Sequence, residues 1–233
     1  MGLDVTTRFD PAREREFFDS FEQRHGEYDV LAETTYRRML SVFERKMHLS
    51  RNRTCVDLGC GTGAFTRRLT AFGLRTTGID ISERSIERAT DLGGGTFLVG
   101  DICDCALDDG QFDYAVMSGV LHHFPSAAER NRALREAWRL LKPGGRFYSY
   151  DPNGHSPSMW LYRNPASPLY SAEGKTENEI LLTRNQLTFE LQEAAFTDVQ
   201  VRGLSGIAYR HVEGRLARRL LPFYNRVYEP AIR

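Results

Sequence analysis

The chain has 233 residues, with 31 Lys plus Arg against 31 Asp plus Glu and a formal net charge of zero. That length supports one domain with a substantial core and some added helical cover. The balanced charge gives no general electrostatic case for nucleic acid, and with neither an apolar h-region nor a membrane-length apolar run, a cytoplasmic protein is expected.

Residues 11–48 carry apolar side chains at helical spacing, many of them aromatic: Phe17, Phe18, Phe21, Tyr28, Leu31, Tyr36, Met39, Leu40, Phe43 and Met47. They predict a pair of helices capping a sheet, within an N-terminal unit of residues 1–50. A strand over 53–58 then runs into Asp57-Leu58-Gly59-Cys60-Gly61-Thr62-Gly63, and a helix is predicted over 64–72, ending near Gly73. A strand, a glycine bend and a helix start let backbone approach a ligand closely. The spacing Gly59-x-Gly61-x-x-Ala64 also satisfies a dinucleotide fingerprint. Asp57 separates the two readings. A carboxylate at the end of the strand repels a pyrophosphate and attracts an ammonium or sulfonium.

On residues 56–63, an acid followed by three alternate glycines, the chain resembles the class I S-adenosylmethionine (SAM)-dependent methyltransferase family. The resemblance covers residues 50–203 or so. It implies SAM as cofactor, with Asp57, Gly59, Cys60 and Gly61 at the first binding motif, and helices at the N-terminus forming a lid from which Tyr28 reaches the methionine end.

A second strand over 74–79 is closed by Asp80, about 20 residues after Gly59, where a carboxylate can hold two ribose hydroxyls. Ile81 follows it in the cofactor set. Asp80 or Ser82 can equally cap the next helix, which runs through Asp91. A third strand over 96–99 leads to Asp101 and Ile102. In the resembled family these meet the adenine amino group and lie against the ring, and a carboxylate suits an amine that only donates. Asp104, Asp108 and Asp109 read as solvated turn residues, and no metal site is expected. The cysteines Cys55, Cys60, Cys103 and Cys105 lack zinc spacing and read as small, buried or half-buried residues rather than a disulfide framework.

A fourth strand over 112–117 ends at Ser118 and Gly119, assigned to the cofactor, and at His122-His123. The Asn/Asp-Pro-Pro-aromatic motif of DNA N-methylating relatives is absent there, which argues further against nucleic acid. A helix over 131–141 precedes Lys142-Pro143-Gly144-Gly145, a turn the family commonly carries before its fifth strand. Here that strand, 146–150, delivers Asp151. The alternation over 53–151 predicts an α/β fold with a doubly wound, mostly parallel, Rossmann-like sheet of seven or six strands under an N-terminal helical lid. The SAM-binding domain spans 51–204.

Residues 152–183 lose this periodicity and hold Pro152, Pro157, Pro165 and Pro168 among aromatics. They read as a substrate-side cap, with His155, Trp160 and Tyr162 as acceptor contacts. A helix over 184–195 and a sixth strand over 196–204 follow. Residues 207–212 are a poor candidate for the family's seventh strand. In the tail, 205–233, a basic helix over 213–226 reads as a solvated face, with weak docking to a membrane surface or an anionic substrate as the sharper reading.

His122 and His123 are candidate general bases, since imidazole titrates near neutral pH. Asp151 either orients an imidazole or accepts a proton itself. The arrangement is similar to antibiotic-pathway sugar O-methyltransferases. The resulting expectation is methyl transfer to a small-molecule hydroxyl, on a sugar or glycosylated natural product, with the oligomeric state open. N- or C-methylation, a non-methylating reaction on the same fold, an NAD(P)-dependent oxidoreductase and a non-catalytic binding module are the competing readings.

Overall fold

The computed structural model describes residues 10–25, 31, 33–154, 166 and 179–204. Tyr28, His155, Trp160, Tyr162, the segment 207–212 and the basic helix 213–226 lie outside them.

Helix boundaries follow local capping chemistry. Helix α1 (Pro11–His25) begins at a proline, which fits a position whose N–H would have no helical partner. Asp10 caps it by accepting from the backbone N–H of Ala12 at 3.0 Å and of Arg13 at 3.3 Å. Helix α2 (Glu33–Met47) follows. Helix α3 (Ala64–Phe72) ends at Gly73, whose φ of 113° closes the C-terminus. Ser82 caps α4 (Glu83–Leu92). Ser126 and Glu129 form a reciprocal capping box. This starts α5 (Ala127–Leu140) one turn before the predicted residue 131. Thr183 caps α6 (Arg184–Glu193).

The strands are β1 (Thr54–Leu58), β2 (Arg75–Asp80), β3 (Thr96–Val99), β4 (Phe112–Ser118) and β5 (Leu141–Tyr150). They form one parallel sheet in the order β3-β2-β1-β4-β5. The order reverses between β1 and β4, and a crevice opens there at the carboxyl ends of the strands. Strand β1 shows why both faces are buried: Val56 and Leu58 enter one apolar cluster, with Leu134 and Leu140 of α5, while Cys55 enters the other, with Phe65 and Leu69 of α3 and Met39 and Phe43 of α2. Helices cover both faces, as a parallel sheet requires.

Two expectations are corrected. Among the described residues the sheet has five strands rather than six or seven. Residues 196–204 form no ladder, because Ala195 and Asp198 sit at φ of 72° and 53°, which interrupts an extended run. Their apolar side chains are used in packing instead. Phe196 lies 4.9 Å from Phe147, and Val199 and Val201 rest on the core. The Lys142-Pro143-Gly144-Gly145 turn does not stand outside the fifth strand. It is absorbed into β5 as an irregularity between the pairs Phe112↔Leu141 and Tyr114↔Arg146, with Gly144 at φ 78°.

Three connections bear on the site. Helix α1 spans the carboxyl rim: Ser82 Oγ donates to Asp19 Oδ1 at 2.9 Å, and Glu14 meets His123 one turn away. Gly154 and the residues from Glu179 onward meet beside the rim. There Gly154 N–H donates to Leu182 O at 2.8 Å and Ile180 N–H donates to His122 O at 2.9 Å. On the far side of the sheet from α2, the buried Arg130 of α5 grips Glu190 of α6 through two hydrogen bonds of 2.8 and 2.7 Å, and it also donates to the Phe124 carbonyl.

Candidate active site

The strand ends bring Asp57, Asp80, Asp101, Ser118 and Asp151 to one rim. Asp57 is the most constrained of them. It is 1% exposed, and Thr66 on the first turn of α3 donates to its Oδ2 at 2.7 Å. Its other oxygen, Oδ1, is buried with no hydrogen-bond partner among the described residues. Burial lifts this carboxyl to about 7, against the hydrogen bond from Thr66 and with added repulsion from Asp80. Ionising Asp57 in the ligand-free site therefore costs on the order of 4 kcal/mol. A bound cation would remove that cost.

Next to it the glycine bend leaves space for a ligand. Gly59 has φ 76°, and a Cβ there would stand 2.6 Å from Val120 Cγ2. At Gly61 a Cβ would meet nothing within 4 Å, so the backbone faces open space. Cys60 is half-buried, and its N–H donates to Ile79 O at 3.0 Å. Asp80 holds the bend in place: its Oδ2 accepts from Gly61 N–H at 2.8 Å and its Oδ1 from Ser82 N–H at 2.9 Å. Burial raises Asp80, and these backbone donors pull it back. Ile81 is half-buried beside it.

Asp101 is exposed and accepts from Cys103 N–H at 2.8 Å, while Ile102 is buried in the core. Ser118 and Gly119 are half-buried at the end of β4, and Gly119 N–H donates to Tyr150 O at 2.7 Å. The orphaned Asp57 oxygen, the open bend at Gly61 and the carboxylate row suit a ligand with a cationic amino-acid end and a ribose. They do not suit a diphosphate seated beside Asp57.

Past β4, Leu121–His123 form a short 3₁₀ turn that buries both histidines. His122 Nδ1 lies 3.0 Å from Asp151 Oδ1, and its backbone N–H donates to the same oxygen at 3.1 Å. When Asp151 is ionised it can only accept, which puts the ring proton on Nδ1 and the lone pair on Nε2. Asp151 Oδ2 is buried without a hydrogen-bond partner among the described residues, and burial raises this carboxyl to about 7. His122 Cε1 is the atom nearest to a Cβ placed on Gly119, at 3.8 Å, so the ring edge faces the end of β4.

His123 Nδ1 stands 2.5 Å from Glu14 Oε1, and the two imidazole centroids are 4.1 Å apart. Burial pulls His123 down, but Glu14 outweighs it with support from Glu179 and Asp151, and the net shift is upward. Phe18 packs edge-on to His123 at 5.5 Å.

Glu14, Glu179 and Thr66 are site residues that the sequence reading did not single out. Glu14 precedes Phe17 and Phe18 by three and four positions, so it shares their helical face. That spacing was the available signal. Glu179 follows an aperiodic stretch and gave none.

Fold and rim together define a protein of the doubly wound α/β class with a candidate cofactor crevice at the strand ends. Residues 56–149 match the family described as methyltransferase domain. A 27-O-demethylrifamycin SV methyltransferase of Amycolatopsis mediterranei is 36% identical over 99 residues, 39% of this chain and 35% of that protein. A sterol 4-C-methyltransferase of Caenorhabditis elegans is 32% identical over 117 residues, 46% of this chain and 33% of that protein. The crystal structure of a SAM-dependent methyltransferase from Methanosarcina mazei is 27% identical with a TM-score of 0.52, covering 63% of this chain and 80% of that one. Residues 56–149 thus carry a methyltransferase domain similar to that of SAM-dependent methyltransferases, whose cofactor is S-adenosylmethionine. The chain spans about a third of the length of these two curated relatives. Among the described residues no helix is long and apolar enough to cross a membrane.

An ammonium group pairs only with ionised Asp57. SAM affinity should therefore fall as pH drops through about 7 and level off at higher pH. Because the folded-state value lies above the unfolded one, Asp57's contribution to ligand-free stability is full below ~3.9 and fades as pH rises through about 7. Calorimetric titrations at about pH 6 and pH 8 check this. The pH dependence should be strong in the wild type and largely absent in Asp57→Asn.

Proposed function

We propose that the protein is a SAM-dependent methyltransferase that methylates a hydroxyl of a small molecule, a sugar or glycosylated natural product, with His122 as general base. The observation that carries the reading is the His122–Asp151 pair, 3.0 Å apart and buried at the same rim as Asp57 and the glycine bend.

The cofactor, when bound, supplies a methyl group already activated on a sulfonium. The chain's task is to hold acceptor and methyl in line, which can contribute ~7–11 kcal/mol, and to take the acceptor's proton. Asp57 with Gly59, Cys60 and Gly61 would hold the methionine end, Asp80 with Ile81 the ribose, and Asp101 with Ile102 the adenine. Ser118 and Gly119 would complete the floor. His122 is favoured over His123 as base because its ring edge lies against Gly119 and Asp151 fixes its tautomer. As attack proceeds, Nε2 accepts the hydroxyl proton and Asp151 stabilises the imidazolium that forms.

Helix α1 would act as a lid, with Tyr28 over the methionine end. Ile180 N–H donates to His122 O and Gly154 N–H to Leu182 O, so both ends flanking residues 155–178 lie near His122, which supports reading that segment as a cap carrying His155, Trp160 and Tyr162 toward the acceptor. A name that places the methyl on a natural-product oxygen in one relative supports the oxygen reading. Carbon methylation stands second, on the name of the sterol relative.

The test is S-adenosylhomocysteine release over a panel of sugars and glycosylated natural products beside amines and sterols. Turnover is expected with hydroxylated acceptors, and turnover confined to amines or carbon acceptors would overturn the reading.

A further inference from the structure

His122, His123 and Glu179 place one ligand atom each so that all three lie within 4.8 Å of one another. Both histidines are buried, and Glu179 is half-buried. Each imidazole turns Nδ1 toward a carboxylate, Asp151 behind His122 and Glu14 behind His123. A carboxylate behind the imidazole is what orients metal-ligating histidines and raises their basicity.

We propose that His122, His123 and Glu179 form a binding site for a divalent transition ion of the zinc class, and that an ion held there withdraws the base from methyl transfer. Two imidazole nitrogens and one carboxylate oxygen suit zinc or cobalt(II), whereas calcium and magnesium prefer oxygen throughout. Bonds of ~2.0–2.1 Å put tetrahedral or octahedral ligand atoms roughly 3.0–3.4 Å apart. The three side chains must therefore draw inward by about an ångström. Glu179 is the member placed to do so, since it is only half-buried and lies outside any helix or strand, while both histidines are buried in the 3₁₀ turn. Among the described residues the cluster offers three ligands, the number typical of zinc sites that also bind water.

An ion on Nε2 of His122 takes the lone pair that would accept the acceptor's proton. Ion binding and base catalysis thus exclude each other. The binding site stands on the cluster itself, and only its effect on turnover rests on the proposed base.

The test uses the full chain stripped with a chelator and titrated with cobalt(II), read by visible d–d absorption, with zinc as competitor. One equivalent should bind, zinc should displace it, and Glu179→Gln and His123→Ala should each weaken binding by at least about tenfold. SAM titration and thermal melting verify that the variants are folded. Zinc should suppress S-adenosylhomocysteine release at the same stoichiometry and leave SAM affinity unchanged.

Failure to bind one equivalent, or binding indifferent to both substitutions, would overturn the site and leave the base reading intact. Binding through these residues with turnover unaltered would overturn the exclusion, and with it the role given to His122.

Discussion

Replacing Asp57 with alanine is expected to weaken SAM binding about 100-fold, a loss of ~3 kcal/mol. The carboxylate is buried and already holds Thr66 through one oxygen, so the other is left for a cationic partner. A charge-assisted hydrogen bond in such a place is worth more than one at the surface. The variant should fold, because the ionised group it removes is unfavourably buried in the ligand-free protein. Asp57→Asn separates charge from shape. It keeps an acceptor for Thr66 and should lose nearly as much affinity as the alanine. Calorimetry against SAM reads both, and near-unchanged affinity in either would count against the assigned pose. The same titration with NAD in place of SAM addresses the oxidoreductase reading, in which the order of affinities would be reversed.

The second large effect is expected in turnover. His122→Ala should lower the rate of methyl transfer by about 10²–10⁴-fold, the usual contribution of a positioned base, with SAM affinity held within about threefold. Asp151→Asn should act in the same direction through another residue. The amide keeps an oxygen to accept from the His122 backbone N–H and Nδ1–H, but it lacks the negative charge that stabilises the imidazolium. A rate unchanged in both variants, measured with the accepted substrate, would remove the pair from the chemistry. A rate lost together with SAM affinity would instead point to a structural part for the 3₁₀ turn.

Much of this arrangement was legible in the sequence because it is local. The run from Asp57 to Gly63 dictates a strand, a bend with positive φ and a helix start, and these appear as β1, the glycine bend and α3. Asp80, Asp101, Ser118 and Asp151 could be placed because each closes a strand of a parallel sheet, and all such ends share one rim. The expected order of elements from β1 to β5 follows for the same reason. What the sequence did not disclose is long-range or conformational. Glu14 reaches His123 only because α1 crosses the rim, and no periodicity reveals which helix face lands where. Glu179 follows a stretch of sequence with no pattern of its own. The sixth strand was expected from the apolar run over 196–204, but a residue's φ overrides hydropathy, and Asp198 at 53° prevents a ladder. Likewise Pro143-Gly144-Gly145 reads as a turn, yet the chain stays beside β4 and takes it up as an irregularity within β5.

The most direct measurement is a crystal structure with S-adenosylhomocysteine, which keeps the amino-acid end and the ribose of the cofactor. The account predicts Asp57 Oδ1 at ~2.7–2.9 Å from the ligand's amino nitrogen, with the ribose against Asp80 and the thioether directed at His122. A ligand amino group paired elsewhere, with Asp57 bound to Thr66 alone, would contradict it.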